Sequence, residues 1–169
     1  MWTIGHSNVP GEALLDQLLA AGIERLVDVR HYPMSRRNPQ FNRDALAAAL
    51  GEHGIEYVHL ESLGGRREPR PESTNTALIN EGFRGYADYM QTPEFDQALA
   101  DLIDLSRDQP TAIMCAEALP WRCHRSLISD ALVSRGIDVR HLLQGAQRPH
   151  QLSPHARIVD GRVVYPALL

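Results

Sequence analysis

The sequence predicts a single α/β domain with a mostly parallel sheet, helices on both faces and a C-terminal hairpin. Three observations carry that expectation. One pattern recurs at equal internal spacing: Leu18-x3-Gly22-Ile23, Leu50-x3-Gly54-Ile55 and Leu132-x3-Gly136-Ile137. Each reads as a helix closed by glycine at C′, where a left-handed backbone carries no Cβ clash, with the isoleucine at C″ touching the leucine at C3. A short β-rich run follows each time, at 26–29, 57–60 and 139–143, and alternating helices and strands imply a parallel sheet covered on both faces. A length of 169 residues with 43% hydrophobic and 22% charged residues suits one domain with a real core.

The elements follow in order. Trp2-Thr3-Ile4-Gly5 is an opening strand, and the Leu14/Leu15/Leu18/Leu19 stripe gives a helix over 11–21. A strand at 26–30, a helix at 42–53 with Leu46 and Leu50 inward, and a strand at 57–61 come next. The stretch 62–82 is rich in Gly, Arg, Pro, Glu and Asn without periodicity, and reads as a functional or mobile loop. Helices near 83–91 and 94–106, a buried strand at 111–116, a helix at 124–135 and a strand at 138–143 complete the alternation. Asp160-Gly161 between apolar runs marks the final hairpin.

A net charge of −4 argues against a generally basic nucleic-acid binder, although a local patch can sit within an acidic total. All 17 cations are arginine. Base composition explains that as readily as function does, yet every positive site is then a planar fork suited to phosphate or carboxylate. The first residues show neither a basic leader nor a signal-like apolar run, and no apolar stretch is long enough for a bilayer. Two cysteines do not make a secreted disulfide framework, so the expected location is cytoplasmic, away from membranes.

Ligands of open α/β sheets bind beyond the carboxyl ends of the strands. Read to their ends, the strands deliver Gly5-His6-Ser7, Asp28-Val29-Arg30, His59-Leu60-Glu61 leading to Gly64-Gly65-Arg66, and Cys115-Ala116-Glu117. Each residue alone has a structural explanation; their convergence points to a site. Asp28, between Val27 and Val29, should be nearly buried and need a partner, and Arg30 emerges on the same strand face. Asp28 is therefore expected to organise an arginine or a loop. After Ala118-Leu119-Pro120-Trp121, the run Arg122-Cys123-His124-Arg125-Ser126 enters a helix whose first turn would favour an anion. A thiol there is either nucleophilic or a small buried hydrophobe; both readings stand for Cys115, while Cys123 fits the buried hydrophobe better. Glu117 is either a general acid or base, or the ion-pair partner of Arg122 or Arg125. Phe83, Tyr86 and Met90 share a helical face with Tyr89 close by; they are core packing, or a lid whose aromatics stack on a flat ligand while Arg84 grips an anion.

Five ordered motifs carry a resemblance: Thr3-Ile4-Gly5-His6-Ser7, Leu26-Val27-Asp28-Val29-Arg30, Leu63-Gly64-Gly65-Arg66, Phe83-Arg84-Gly85-Tyr86-Ala87-Asp88-Tyr89-Met90, and Met114-Cys115-Ala116-Glu117 with Cys123-His124-Arg125-Ser126. Together they resemble the bacterial and archaeal domain of unknown function family 488 over nearly the whole chain, and that resemblance supplies no reaction. A weaker similarity, to rhodanese-like domains and related phosphatases, would make Cys115 the nucleophile and Arg125-Ser126 the end of its anion loop. The spacing departs from that pattern, because Arg125 follows Cys115 by ten residues and Cys123 by only two.

The leading expectation is a hydrolase or transferase acting on an anionic small molecule or nucleic-acid fragment. Glu117, Cys115 and His6 are the candidates for chemistry. The ligand-binding candidates are Ser7, Asp28, Arg30, Gly64, Gly65, Arg66, Arg84, Tyr86, Cys123, His124 and Arg125. The alternatives are a non-catalytic nucleotide or nucleic-acid binding module, and thiol chemistry at Cys115. His6, Cys115, Cys123 and His124 are potential metal ligands as well. The cysteines lack zinc-knuckle spacing and Cys123 beside His124 is an awkward pair, so no metal or cofactor is expected.

Overall fold

A computed structural model describes residues 1–167. Six strands form one sheet in the order β3-β2-β4-β1-β5-β6. They are β1 (Trp2–Gly5), β2 (Arg25–Asp28), β3 (Glu56–His59), β4 (Thr111–Cys115), β5 (Arg140–Leu143) and β6 (Ala146–Pro149). All pairings among β1 to β5 are parallel, and β6 is added antiparallel to β5. The helices are α1 (Gly11–Ala20), α2 (Arg43–Gly51), α3 (Glu81–Tyr89), α4 (Pro93–Leu105) and α5 (Arg125–Ser134). A separate two-stranded hairpin, β7 (Arg157–Val159) and β8 (Arg162–Val164), turns through Asp160 and Gly161, both at positive φ. Among the described residues no helix is long and apolar enough to cross a membrane.

The three helix ends close as their spacing predicts. Ile23, Ile55 and Ile137 donate their N–H to the carbonyls of Leu18, Leu50 and Leu132, while Gly22, Gly54 and Gly136 donate to Leu19, Gly51 and Val133. The glycines take φ of 68, 74 and 80°, the paired bonds and left-handed residue of a Schellman cap. Sequential strands thus start from one edge of the sheet and discharge their loops at the other.

Alternation along the strands sorts two cores. Ile4, Leu26, Ala112, Met114 and Leu142 pack beneath α1 and α2 with Phe41. Val27, Val29, Ile113 and Cys115 pack on the other face against α3, α4, α5 and Tyr165. Pro93 begins α4 behind Thr92, whose hydroxyl caps the Phe95 amide, the preferred chemistry for a helix start. The strand β6 is not anticipated by the sequence reading: Ala146–Pro149 is exposed throughout and lacks apolar alternation. The segment 64–80 contains no helix or strand, but it is tied down. Asp88 accepts from the Arg70 amide, the Ser73 hydroxyl and the Asn75 side chain, and the Arg67 guanidinium lies 3.8 Å over the Tyr89 ring.

Candidate functional site

The carboxyl ends of β1, β2 and β4 lie side by side, with Gly5 in register with Cys115 and Asp28 with Met114. Two polar clusters form there, one on each face. Toward α1 and α2, the Asp28 carboxylate accepts from the Arg30 amide at 3.0 Å, from Arg30 Nε and Nη2, and from the Tyr57 hydroxyl at 2.6 Å. Arg30 spends its remaining donors on the Phe41 carbonyl and on His6 Nε2. His6 Nδ1–H donates to the Ser7 carbonyl, and the ring stacks on Phe41 at 4.3 Å. Burial lowers the His6 pKa and the neighbouring Arg30 charge adds to that, against the opposing pull of the Ser7 hydrogen bond. Burial beside the Asp28 carboxylate raises the pKa of Tyr57. Asp28, Arg30 and His6 thus hold one another.

On the opposite face β4 delivers Cys115 beside Cys123 and His124 from the β4–α5 loop. His124 Nδ1 lies 3.6 Å from Cys123 Sγ and 3.9 Å from Cys115 Sγ, while Nε2 donates to the Val29 carbonyl at 2.9 Å. Because a carbonyl only accepts, Nε2 carries a proton, and Nδ1 is the ring nitrogen that faces the two sulfurs. Both cysteines are free. The Cys123 thiol is pulled well down, chiefly because Cys115 hydrogen-bonds to it, and Cys115 is pushed up by the same contact and by burial. Tyr86 is fully buried behind them, its hydroxyl on the Leu63 carbonyl and its ring 5.0 Å from His124. That contact places Tyr86 in the core rather than on a ligand-facing lid.

The remaining candidates divide by their hydrogen bonds. Arg125 is 1% exposed; its Nη2 donates to the Glu117 carbonyl and its Nη1 to Thr3 Oγ1 at 3.3 Å. Arg84 Nε donates to the Leu78 carbonyl. Both forks therefore hold loops. Arg66 is exposed at a φ of 60°, 5.2 Å above the Tyr32 ring. Gly64 and Gly65 are places of close approach: a Cβ on Gly64 would meet His31, and one on Gly65 would lie 3.1 Å from His124 Nδ1. Glu117 is exposed, and no ion pair or hydrogen bond engages its carboxylate among the described residues. Its backbone packs so tightly on Gly5 that a side chain there would overlap the Glu117 carbonyl.

A cavity of about 380 Å³ opens where the β1–α1 turn, the β4–α5 loop and the β5–β6 hairpin meet, lined by Ser7, Asn8, Leu119, Trp121, Gln144 and Arg148 among others. Ser7 (φ 48°) and Gln144 (φ 46°) have left-handed backbones. Trp121 is 59% exposed. A neighbouring depression of about 450 Å³, lined by Ser126, His141 and His150, shares Trp121 and Arg148 with the first. Of the residues singled out from sequence, Ser7 and Gly5 border the cavity; Trp121, Asn8, Gln144 and Arg148 were not anticipated as site residues. An aromatic residue in a loop between two polar motifs is the one signal that pointed there.

These features define a class: an α/β protein with a polar site at the carboxyl rim of a parallel sheet, built mainly by the loop after its fourth strand. The family profile described as Domain of unknown function DUF488 matches residues 11–132, more than half of the chain, and the protein belongs to that family. The match runs from α1 into α5; β1 and the β5–β6 hairpin lie outside it. No curated protein and no solved structure matches the chain.

Proposed function

We propose that the protein is an enzyme acting on an anionic ligand of the nucleotide class, held at the carboxyl rim between Trp121 and Arg148. The carrying observation is the cavity at the ends of β1 and β5, of a size suited to a small ligand, with one exposed indole and one arginine on its wall. An indole face stacks a base, and a guanidinium fork takes a phosphate through paired hydrogen bonds. The left-handed turn at Ser7 brings Ser7 and Asn8 to the same wall, with the Ser7 hydroxyl donating to Asn8 Oδ1 at 3.3 Å. Sparsely populated backbone conformations persist where surrounding structure enforces them, often at ligand sites. Glu117, unengaged and next to the lining residue Ala118, is the group assigned to move a proton or activate water, with Arg148 offsetting charge in the transition state.

The test begins with indole fluorescence during titration with nucleoside mono-, di- and triphosphates and with inorganic phosphate, in the wild type and in Trp121→Phe and Arg148→Ala. Saturable quenching that needs Trp121, and weakens in Arg148→Ala, supports the ligand assignment. Turnover of the bound compound that is abolished in Glu117→Gln with binding retained supports the enzyme. Binding without turnover in the wild type favours a non-catalytic nucleotide-binding module, and turnover unchanged in Glu117→Gln removes Glu117 from the chemistry.

A further inference from the structure

We propose that Cys115, Cys123 and His124 bind one soft or borderline metal cation, zinc foremost, with a coordination position left for a non-protein ligand. The three residues are separate from the rim cavity, whose lining includes none of them.

The geometry is built locally. Cys115 is the last residue of β4, and the chain returns to it through a 3-10 turn (Pro120–Arg122). Cys123 is extended (φ −143°, ψ 151°), whereas His124 takes helical angles (φ −58°, ψ −12°). That change of backbone direction between neighbours turns both side chains toward Cys115, which resolves the difficulty of adjacent ligands. The two sulfurs and Nδ1 all lie within 4.8 Å of one another. Zinc bonds of about 2.3 Å to sulfur and 2.0 Å to nitrogen, at a tetrahedral angle, set an S···N edge of about 3.5 Å. The two observed edges are 3.6 and 3.9 Å.

The surroundings fit the same reading. Metal-binding histidines usually donate their second N–H to a carbonyl or carboxylate, which fixes the tautomer; His124 Nε2 does so to Val29. The Arg125 amide donates to Cys123 Sγ at 3.5 Å, a bond that supports a thiolate. Glycine at 65 leaves space beside Nδ1 that a Cβ would enter. Two sulfurs and one imidazole, with no carboxylate in the cluster, select zinc-like cations over magnesium or calcium. Three protein ligands leave a fourth position to water or another small ligand.

The experiment uses the full chain expressed without a polyhistidine tag. Elemental analysis of the purified protein is followed by Co²⁺ titration of the chelator-treated protein, read by tetrahedral d–d and thiolate-to-cobalt absorption. The expected result is one metal per chain, thiolate bands that saturate at one equivalent of Co²⁺, and their loss when Zn²⁺ is added. Cys115→Ser, Cys123→Ser and His124→Gln should each lose stoichiometric metal, with folding checked by far-UV circular dichroism. The wild-type cobalt spectrum decides the matter even if a variant fails to fold. Absence of thiolate bands, with both thiols reacting equally fast with a thiol reagent with and without Zn²⁺, would overturn the proposal. So would a Cys115–Cys123 disulfide whose reduction yields no metal binding.

Discussion

The two faces of the sheet end in polar clusters of opposite character. On the α1–α2 face, Asp28, Arg30, Tyr57 and His6 form a closed set: carboxylate oxygens, guanidinium nitrogens and both imidazole nitrogens have partners within the chain. On the other face, two thiols converge on the single free nitrogen of His124, and three potential ligand atoms share fewer bonds than they can make. Both clusters are largely buried and both lie at strand ends, so position alone does not separate them. Bonding capacity does. A buried polar group whose partners are internal stabilises the fold and offers nothing to a ligand, whereas unused capacity in a native structure calls for a further partner.

The largest effect should come from opening the closed cluster. Asp28→Ala leaves the Arg30 guanidinium buried without its counter-charge, and urea denaturation should show a loss of about 3–5 kcal/mol; a loss below 1 kcal/mol would mean the pair is not what holds this end of the sheet. Next comes a third buried system. Thr3, His141, His150 and Asp130 form a continuous hydrogen-bonded chain, and Tyr165 donates to the same carboxylate. Burial, with the charges of His150 and Arg125, lowers the His141 pKa from 6.5 to about 4. The unfolded chain therefore binds a proton at this site between those values and the folded chain does not. The His141 contribution is complete above pH 6.5 and declines as pH falls toward 4, by about 2 kcal/mol once solvent screening is allowed for. A pH series of denaturation curves should show this slope in the wild type and its reduction in His141→Gln; parallel curves would contradict it. Tyr57→Phe, which removes one hydrogen bond to the Asp28 carboxylate, should cost about 1.5 kcal/mol by the same denaturation assay. Least affected is Glu117→Gln, at an exposed carboxylate with no partner among the described residues: its stability should stay within about 0.5 kcal/mol of wild type. A larger loss would place Glu117 among the structural residues.

The fold was legible wherever a local device carries it. The Leu-x3-Gly-Ile spacing names both bonds of each helix cap, and the runs after it locate β2, β3 and β5 to within a residue or two. Strand β6 was hidden because an exposed edge strand needs no apolar alternation, only an antiparallel partner supplied by the turn at Gln144-Gly145. The site was legible by position and less so by role. Sequence places arginines at strand ends, but it does not show that Arg84 is held by a loop carbonyl, Arg125 by the Glu117 carbonyl and Thr3 with its Nε left unpartnered among the described residues, or Arg30 by Asp28. The cavity joins Ser7, Trp121 and Arg148, whose loops lie far apart along the chain, so no local pattern announces it.

The most direct test of ligand binding at the carboxyl rim is two-dimensional amide NMR of the full chain during titration with the nucleotide that quenches its indole fluorescence most. Shifts that saturate and concentrate at Ser7, Asn8, Gln144, Arg148 and the Trp121 indole are the predicted result. Saturating shifts confined to other surfaces, such as the loop around Arg66, or no saturable shifts with any nucleotide or with phosphate, would contradict it.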